Sequence, residues 1–417
     1  MDARIRGLNG RKLTVSTPVS VPSSKSHTIR ALLIASMAAG ESRLINPLDS
    51  TDARSCIDAC RSFGAIVSSE LQTTAGLPLR IITGTGGNFP TETVSIDVGN
   101  SGTSLYLAAG LAALSGSELR FTGDEQIQRR PVKALLDALT DLGAEVELTG
   151  DSPPFSIKGP LAGGSTAIEC PTSQYLSSLL ICTPLATGPG ESVPESIINV
   201  PLLMEKPYVE MTLRWLDQQG IKYSNDNFRR FIIPGGQHYN AFESIIPGDF
   251  SSATFPLCAA AVTGSKLQLA GLDITDSQGD KAVIDYLKTM GCSIDITPMV
   301  NGNSGLITIT GPEKLKGAEL DLNNTPDALP AMAVTACFAE GTTRLYNVPQ
   351  ARLKETDRIT VMQRELSKLG ADIEEMPDGL IIHGGRTLTG CRLEGHADHR
   401  VVMALAVAAL RSTGETV

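Results

Sequence analysis

Two cations and a carboxylate fall within five residues at Lys354, Glu355 and Arg358. We predict that this segment forms one helical turn, in which Lys354 and Arg358 are four residues apart and share a face, with Glu355 three residues from Arg358. Such a cluster could bind an anion and also donate a proton. Charged pairs at this spacing are equally typical of a solvated helix surface. The segment by itself therefore leaves both interpretations open.

Polar residues also open two other segments, residues 22–30 and residues 99–104, each of which precedes a stretch of small apolar residues. We predict a helix start at each, because hydroxyl and asparagine side chains favour N-caps. Free backbone N–H groups and the positive end of a helix dipole bind phosphate or carboxylate, so both segments are candidate anion sites. Neither has the Gly-Lys-Ser/Thr spacing of a P-loop. Ordinary helix capping explains each segment equally well when it is considered singly.

Two marks recur along the chain and predict a repeated unit. A glycine follows a polar helical segment and precedes a strand at Gly64, Gly143, Gly220, Gly291 and Gly370. Apolar segments rich in small residues begin near Ser26, Thr103, Ser173, Ser252, Asp327 and Asp398. A glycine just past a helix is a common cap. Together the marks indicate six units, of which the last is incomplete at Val417.

Each unit combines a helix that is apolar almost all round, a strand, an amphipathic helix and paired strands. Residues 29–39 and 328–339 are examples of the apolar helix, and residues 341–346 of the strand. A helix without a polar face is expected to be buried. Since long apolar helices inside sheet-bearing units pack beneath the sheets, the sequence predicts compact α/β sub-units.

The composition fits a globular protein, because 41% of the 417 residues are hydrophobic and 19% are charged. This length favours two domains. The longest apolar run, residues 401–410, is too short to span a bilayer. The eight cysteines form no CxxC pair, so we expect reduced thiols and no metal site in a cytoplasmic protein. The N-terminal residues 1–4 lead into polar sequence, so we expect no signal peptide. A net charge of −10 disfavours nucleic acid as a partner.

Nine short motifs occur in an order that resembles the 5-enolpyruvylshikimate-3-phosphate synthase family over nearly the whole chain. They are Pro-Ser-Ser-Lys-Ser at 22–26 with Arg30, Gly-Asn-Ser-Gly-Thr at 99–103, Arg-Arg-Pro at 129–131, Thr-Ser-Gln at 172–174, Lys-Pro-Tyr at 206–208, Gly-Asp-Phe-Ser-Ser-Ala at 248–253, Pro-Asp-Ala at 326–328, Lys-Glu-Thr-Asp-Arg at 354–358 and Asp-His-Arg at 398–400. Each motif alone is weak evidence, whereas the ordered set is highly specific.

The resemblance implies the enolpyruvyl transferase fold, an α/β (α+β) architecture that forms a two-lobe inside-out α/β barrel. Each lobe would contain three βαβαββ repeats around buried parallel helices. The chain would cross between the lobes near residues 20 and 247, which gives one lobe of 21–246 and a second of 1–20 plus 247–417. The active site would lie in a cleft that closes over the substrates and excludes water.

The resemblance further implies a cytoplasmic transferase of the shikimate pathway, which leads to chorismate and the aromatic amino acids. The family moves the enolpyruvyl group of phosphoenolpyruvate onto the 5-hydroxyl of shikimate 3-phosphate and releases phosphate, by addition and elimination through a tetrahedral intermediate. No metal or organic cofactor takes part. The partners would be these two small molecules, without nucleic acid or membrane, and the enzyme would be a monomer. The family is the target of glyphosate, which competes with phosphoenolpyruvate, and Gly102 is expected beside that donor site.

Site residues follow from the motif positions that the resemblance supplies. The catalytic set is Lys25, Asp327, Lys354 and Glu355, with Asp327 acting on the 5-hydroxyl and Glu355, or alternatively Lys354, protonating the methylene carbon. Shikimate 3-phosphate would be bound by Lys25, Ser26, Arg30, Thr172, Ser173, Gln174, Tyr208, Asp327, Gln350 and Lys354. Phosphoenolpyruvate would be bound by Lys25, Asn100, Gly102, Thr103, Arg130, Gln174, Glu355, Arg358 and Arg400. Asp327 also fits an ordinary helix start, where proline and aspartate are favoured.

Some positions depart from the family pattern. Gln126 replaces an arginine that many members use for phosphoenolpyruvate, and Arg130, or less favourably Arg129, is expected to reach the same anion. Gln350 replaces an asparagine that contacts the shikimate phosphate. In relatives, a closing strand and a lysine that contacts phosphoenolpyruvate follow the position of Val417.

Glu205 is the departure with the largest electrostatic consequence. It stands where the family commonly has a serine beside the substrate phosphate, and a carboxylate is unfavourable there. We therefore expect its side chain to turn outward and pair with Lys206.

Two other functions are left open by the residues. A sister enzyme transfers enolpyruvate to UDP-N-acetylglucosamine with the same fold and donor, but it usually has a reactive cysteine at the position of Glu125. A non-catalytic anion-binding relative would accommodate Glu205. Four retained residues disfavour that alternative, namely Lys25, Asp327, Glu355 and Arg358. Assays of phosphate release with each acceptor would separate these functions.

Overall fold

The computed structural model describes residues 3–188, 194–298 and 304–417. Within these ranges the helices are α1 Lys25–Met37, α2 Thr51–Ser62, α3 Gly102–Ala112, α4 Lys133–Asp141, α5 Ser173–Cys182, α6 Lys206–Gln218, α7 Phe250–Thr263, α8 Val283–Thr289, α9 Leu329–Cys337, α10 Arg358–Lys368 and α11 His399–Arg411. Single 3-10 turns are found at Ile127–Arg129, Thr183–Leu185, Gly279–Ala282, Pro326–Ala328 and Pro349–Leu353.

The strands are short and distributed along the whole described chain. In the first half they are β1 Ile5–Arg6, β2 Val19–Ser20, β3 Ala39–Ile45, β4 Ile66–Val67, β5 Leu71–Gln72, β6 Pro78–Thr85, β7 Val94–Asp97, β8 Leu119–Thr122, β9 Glu145–Leu148, β10 Phe155–Lys158, β11 Gly164–Ala167 and β12 Glu195–Asn199. In the second half they are β13 Ser224–Asp226, β14 Arg230–Pro234, β15 Glu243–Ile245, β16 Lys266–Asp273, β17 Ser293–Pro298, β18 Ser304–Thr310, β19 Leu315–Lys316, β20 Glu319–Asp321, β21 Ala339–Glu340, β22 Thr342–Tyr346, β23 Asp372–Met376, β24 Gly379–His383 and β25 Glu415–Thr416.

The chain divides into two compact units. The central unit is Ser23–Pro247, and the terminal unit joins the N-terminal segment through Pro22 to Gly248–Val417. Each unit buries an apolar core of its own.

Three mixed sheets form the central unit. Their strand orders are β15-β3-β6-β4 with β5 beside β6, β7-β8-β10-β9, and β11-β12-β14-β13. Each sheet contains one parallel pair, respectively β15 with β3, β7 with β8 and β11 with β12, and its other pairs are antiparallel. A parallel pair needs a crossover connection and an antiparallel pair needs only a hairpin. The repeated arrangement confirms the predicted α/β repeats.

The terminal unit repeats the same arrangement in two further sheets, ordered β2-β16-β18-β17 and β20-β22-β24-β23. Here the parallel pairs are β2 with β16 and β20 with β22. The last repeat contributes α11 and β25, which pairs with β1 in an antiparallel ladder. A small parallel pair, β19 with β21, completes the sheets described for this unit.

The apolar helices are buried, as their composition predicts. In α1 every residue from His27 to Met37 is buried, and α3 and α9 are buried along almost their full length. A helix surrounded by protein has no solvent face and so needs no polar stripe. Seven of the eight cysteines are buried and all are free thiols, with Cys391 half-buried.

The predicted glycine caps are confirmed at all five positions. Gly64, Gly143, Gly220, Gly291 and Gly370 follow α2, α4, α6, α8 and α10, and each has a positive φ. At Gly64 the φ of 99° is one that a residue with a Cβ rarely adopts. These glycines let the chain leave each amphipathic helix and enter the following strand or loop.

Candidate functional site

The start of α1 presents a cation at the edge of a buried helix in the central unit. The Ser24 hydroxyl accepts a hydrogen bond from the His27 backbone N–H and so caps the helix. Lys25 Nζ lies 2.7 Å from Asp52 Oδ2, and both side chains are largely buried. Ser26 follows in the first turn and is half-buried. Asp52, which the sequence analysis did not include, is therefore a counter-ion of Lys25.

Arg30 lies in the packing between α1, α5 and α6, with 1% of its surface exposed. Its Nε donates to the Thr212 hydroxyl at 2.8 Å and its Nη1 to the Ser26 carbonyl at 3.1 Å. Its Nη2 donates to the Ser177 hydroxyl and to the Tyr208 carbonyl. Burial lowers the pKa of Arg30 to about 10, so the guanidinium is still charged at neutral pH. The arginine thus fixes the start of α6 against α1 and α5.

Hydroxyl groups gather at the start of α5 around a carboxylate. Thr172 caps α5, and its hydroxyl oxygen accepts from the Gln174 side-chain amide at 3.0 Å. Glu205 Oε2 accepts from the Thr172 hydroxyl at 3.2 Å, the Ser173 N–H at 3.2 Å and the Ser173 hydroxyl at 2.9 Å. Glu205 is 2% exposed.

The expectation that Glu205 turns outward is wrong. Lys206 Nζ lies 4.0 Å from Glu210 Oε1 and 4.2 Å from the centre of the Phe228 ring. The inward orientation of Glu205 follows from its backbone, which has the left-handed φ and ψ of 57° and 39° just before α6. This conformation directs the side chain to the donors at the start of α5.

The Gly-Asn-Ser-Gly-Thr loop enters α3 with a hydroxyl cap. The Ser101 side chain accepts from the Ser104 backbone N–H, and Thr103 is half-buried in the first helical turn. Asn100 Nδ2 donates to Asp124 Oδ2 at 2.7 Å and to Gln126 Oε1. Gln126, which stands where the resemblance places an arginine, is thereby joined to this loop by a hydrogen bond instead of carrying a positive charge beside it.

Gly102 faces the guanidinium of Arg130. A Cβ placed on Gly102 would lie 3.5 Å from Arg130 Cζ and 3.6 Å from its Nη1. Arg130 is 5% exposed. The structure therefore brings together the glycine and the cation that the sequence analysis assigned to one anion.

Three carboxylates converge on Arg358 in the terminal unit. Its Nη1 donates to Asp327 Oδ1 at 2.6 Å, its Nη2 to Glu355 Oε2 at 2.6 Å, and its Nε to Asp398 Oδ2 at 2.8 Å. Burial opposes the charged guanidinium, but Asp398, Glu355 and Asp327 outweigh it and hold the pKa of Arg358 well above its usual value. Asp398 belongs to the Asp-His-Arg motif, but the sequence analysis gave it no role in the site. Its side chain is fully buried beside this cation.

Arg400 supplies a second cation to the same aspartate. Its Nη2 lies 2.9 Å from Asp327 Oδ2, and its backbone N–H donates to Asp398 Oδ1 at 2.9 Å, where Asp398 caps α11. Burial works against the charge, yet Asp327 and other carboxylates raise the pKa of Arg400. Asp327 therefore bridges two buried arginines through its two carboxylate oxygens.

The expectation that residues 354–358 form one helical turn is wrong. Helix α10 begins only at Arg358, because the Asp357 side chain accepts from the N–H groups of Ile359 and Thr360 and caps the helix there. Lys354 is extended at the end of the preceding 3-10 turn and is half-buried. Glu355 still contacts Arg358, although Glu355 lies outside the helix.

Asp280 is a buried carboxyl that the sequence did not single out. It accepts a hydrogen bond from the Ser251 hydroxyl near the start of α7. Burial raises its pKa to about 6, and the charge of Asp327 acts in the same direction while that of Arg400 opposes it. Asp280 follows Gln278 and Gly279 in a segment that matches no catalytic motif, so the sequence offers no reason to single it out.

Gln350, expected at the shikimate phosphate, is buried in the 3-10 turn Pro349–Leu353. Its Nε2 donates to the Asn323 carbonyl at 2.9 Å, while its Oε1 accepts no hydrogen bond from the described residues. Across residues 3–188, 194–298 and 304–417, no three His, Cys, Asp or Glu side chains are grouped to hold a metal ion.

Comparison with known proteins agrees with the motif order. A sequence model of the family described as EPSP synthase (3-phosphoshikimate 1-carboxyvinyltransferase) matches residues 11–417. The chain is 48% identical over 412 residues to the 3-phosphoshikimate 1-carboxyvinyltransferase of Ruminiclostridium cellulolyticum, covering 98% of this chain and 93% of that protein. It is 49% identical to the protein of the same name from Acetivibrio thermocellus, with the same coverage. The solved EPSP synthase from Acinetobacter baumannii superposes with a TM-score of 0.79 at 27% identity, covering 99% of this chain and 92% of that chain.

Proposed function

The chain belongs to the EPSP synthase family, and from that premise we propose how its own residues divide the work of the family reaction. The enzyme transfers the enolpyruvyl group of phosphoenolpyruvate to the 5-hydroxyl of shikimate 3-phosphate, giving 5-enolpyruvylshikimate 3-phosphate and phosphate. The substrates are multiply anionic, so they require clustered cations and hydroxyl donors. The alternative acceptor, UDP-N-acetylglucosamine, is disfavoured by the names of the matched relatives.

Arg358 and Arg400 are the proposed ligands of phosphoenolpyruvate in the terminal unit. Both are buried and stand in the first turns of α10 and α11. Guanidinium groups bind carboxylate and phosphate through paired hydrogen bonds that are stronger than neutral ones. In the central unit, the proposed ligands of the same donor are Lys25, Asn100, Gly102, Thr103, Arg130 and Gln174.

Asp327 and Glu355 are the proposed proton-transfer pair. In the addition step Asp327 takes the proton of the 5-hydroxyl as the oxygen bonds to C2, and Glu355 gives a proton to C3. In the elimination step the proton on C3 returns to Glu355, the C2–O bond to phosphate breaks, and the departing phosphate takes the proton held by Asp327. Lys354 stays the alternative acid, and Lys25 is proposed to stabilise the negative charge of the intermediate. The observation that carries this assignment is the single guanidinium, Arg358, that holds both carboxylates at 2.6 Å.

Shikimate 3-phosphate is proposed to bind chiefly through the hydroxyl cluster of Thr172 and Ser173. Further proposed ligands are Lys25, Ser26, Arg30, Gln174, Tyr208, Asp327, Gln350 and Lys354. The Ser173 N–H and hydroxyl stand at the start of α5, where the helix dipole favours an anion.

One assay tests the proposed function directly. The full chain is mixed with phosphoenolpyruvate and either shikimate 3-phosphate or UDP-N-acetylglucosamine, and released phosphate and the enol ether product are measured. Turnover with shikimate 3-phosphate alone is expected. Turnover with the UDP-sugar would assign the sister activity, and none with either acceptor would favour a non-catalytic anion-binding relative.

We also propose that the enzyme works in the cytoplasm as a monomer of two lobes, 21–246 and 1–20 plus 247–417, without nucleic acid. The net charge of −10 supports the last point. In the described part of the chain, no helix has both the length and the apolar character that a membrane span requires. Light scattering on the purified chain would test the monomer.

A further inference from the structure

The buried side chain of Glu205 is surrounded by hydrogen-bond donors of the kind that bind anions. One carboxylate oxygen, Oε2, accepts from the Thr172 hydroxyl at 3.2 Å and from the N–H and hydroxyl of Ser173 at 3.2 and 2.9 Å. Thr172 and Ser173 are 8% and 1% exposed, and Glu205 is 2% exposed. These donors are therefore directed at one negatively charged oxygen away from bulk water.

The backbone of Glu205 supports the same interpretation. Glu205 has a φ of 57° at the N-cap of α6, yet its side chain makes no capping hydrogen bond to that helix. A left-handed conformation is unfavourable for a residue with a long side chain and persists where surrounding contacts hold it. The hydrogen bonds of the Glu205 carboxylate to Thr172 and Ser173 join it to the start of α5.

Two hydroxyls and a backbone N–H at a helix start are also the groups that bind a phosphate oxygen. A carboxylate and a phosphate cannot use the same donors together, and like charges at short distance repel. We propose that Glu205 is an internal competitor for the phosphate group of the acceptor substrate. This inference rests on the proposed function, in which Thr172 and Ser173 bind that phosphate.

Glu205 would then set the affinity of the site for the phosphate group of the acceptor. An acceptor must displace the carboxylate to reach the Thr172 and Ser173 donors, and only a more highly charged group can do so. Shikimate 3-phosphate carries such a group, whereas shikimate carries none at that position. Glu205 would therefore raise the KM for the phosphorylated acceptor and leave the KM for the donor, phosphoenolpyruvate, unchanged.

The test compares Glu205→Gln and Glu205→Asn with the wild-type full chain. Glutamine keeps the size of the side chain, and asparagine is one of the residues that tolerates a left-handed backbone. Both variants are expected to lower the KM for shikimate 3-phosphate roughly tenfold, the change that corresponds to about one lost unfavourable charge contact. The KM for phosphoenolpyruvate is expected to stay the same.

Glu210→Gln is the matched control, because it removes the same charge from α6 at a partly exposed position that contacts Lys206. It should leave both KM values unchanged. An unchanged or higher KM for shikimate 3-phosphate in both Glu205 variants, with melting showing that they fold, would overturn the proposal and leave Glu205 a structural residue.

Calorimetry separates this proposal from the proposed function. Titration of each protein with shikimate 3-phosphate, and with shikimate as the comparison that lacks the phosphate group, measures the competition without any turnover. Tighter binding of shikimate 3-phosphate by the Glu205 variants supports the competition even if the wild type forms no product. Equal binding of that ligand by wild type and variants, or no binding by any of them, refutes it.

Discussion

Arg358 Nη1 donates a hydrogen bond of 2.6 Å to Asp327 Oδ1, which joins the start of α10 to a residue 31 positions earlier in the chain. The same guanidinium holds Glu355 through Nη2 at 2.6 Å. Arg358 is 1% exposed, against 19% for Asp327 and 15% for Glu355. A buried cation thus orients two more accessible carboxylates, the pair that we assign to proton transfer.

Asp327→Asn is expected to lower turnover by about 10²–10⁴ while both substrates still bind, because an amide cannot take the proton of the 5-hydroxyl. Steady-state kinetics with both substrates measures the effect. Asp285→Asn, which neutralises an exposed carboxylate on α8 of the same unit, is the control and should behave as wild type. Wild-type turnover in Asp327→Asn would reject the assignment of the base.

Glu355→Gln tests the identity of the acid that protonates C3 of phosphoenolpyruvate. In deuterated water the wild type should incorporate deuterium at the methylene carbon of the product, and Glu355→Gln should lose this exchange together with about 10²–10⁴ of turnover. Lys354→Met is the comparison. If the lysine variant lost exchange and the glutamine variant kept it, Lys354 would be the acid.

Arg400→Ala is expected to raise the KM for phosphoenolpyruvate far more than that for shikimate 3-phosphate, since one charge-assisted contact is worth about 1.5–3 kcal/mol. Arg358→Ala should weaken the same ligand but also destabilise the fold by about 3–5 kcal/mol, because it leaves the buried Asp398 without its cation. Calorimetric titrations and thermal melts measure both effects. Equal weakening for both substrates in Arg400→Ala would contradict the proposed division of the site.

Gly102→Ala is expected to weaken inhibition by glyphosate strongly and binding of phosphoenolpyruvate less. The new methyl group would lie 3.5 Å from Arg130 Cζ, which is ordinary contact, so the variant should fold and yet lose space beside that cation. Inhibition curves at several concentrations of phosphoenolpyruvate provide the measurement. An unchanged inhibition constant would remove Gly102 from the donor site.

Glu365 should make the enzyme sensitive to acid. Its side chain is fully buried, and although burial opposes ionisation, hydrogen bonds from Lys368 and His396 lower its pKa to about 2 from the ordinary 4.5. The ionised form therefore contributes roughly 3 kcal/mol above pH 4.5, and this contribution is lost as pH falls through about 2. Denaturant unfolding at several pH values should find Glu365→Gln less stable than wild type at pH 7.

The same comparison near pH 2 should show the two proteins converging, because Glu365 is then about half protonated in the folded state and fully protonated in the unfolded state, so little of its contribution remains. Glu374→Gln, at a largely exposed position, is the control and should change stability little at any pH. A constant difference between wild type and Glu365→Gln across this range would contradict the linkage.

The sequence alone predicts the repeated units, because their signals are local. The apolar helices begin within about two residues of the positions expected from composition, and the five glycines after the amphipathic helices have the positive φ that their placement predicts. The ordered motifs likewise point to the family that the comparisons support. Caps, turns and hydrophobic periodicity involve only a few neighbouring residues and can therefore be recognised in a single sequence.

Tertiary structure decided the partners of the charged residues. Arg358 binds Asp327 and Asp398, which lie 31 and 40 residues away in the sequence. The Asp357 cap starts α10 at Arg358, so the helical turn predicted for residues 354–358 does not form. Glu205 turns inward although Lys206 is its neighbour in sequence, and its carboxylate accepts hydrogen bonds from donors 32 and 33 residues earlier. An ion pair or hydrogen bond depends on distance in space, and the local patterns of one sequence do not reveal which distant segments will be brought within about 3 Å of each other.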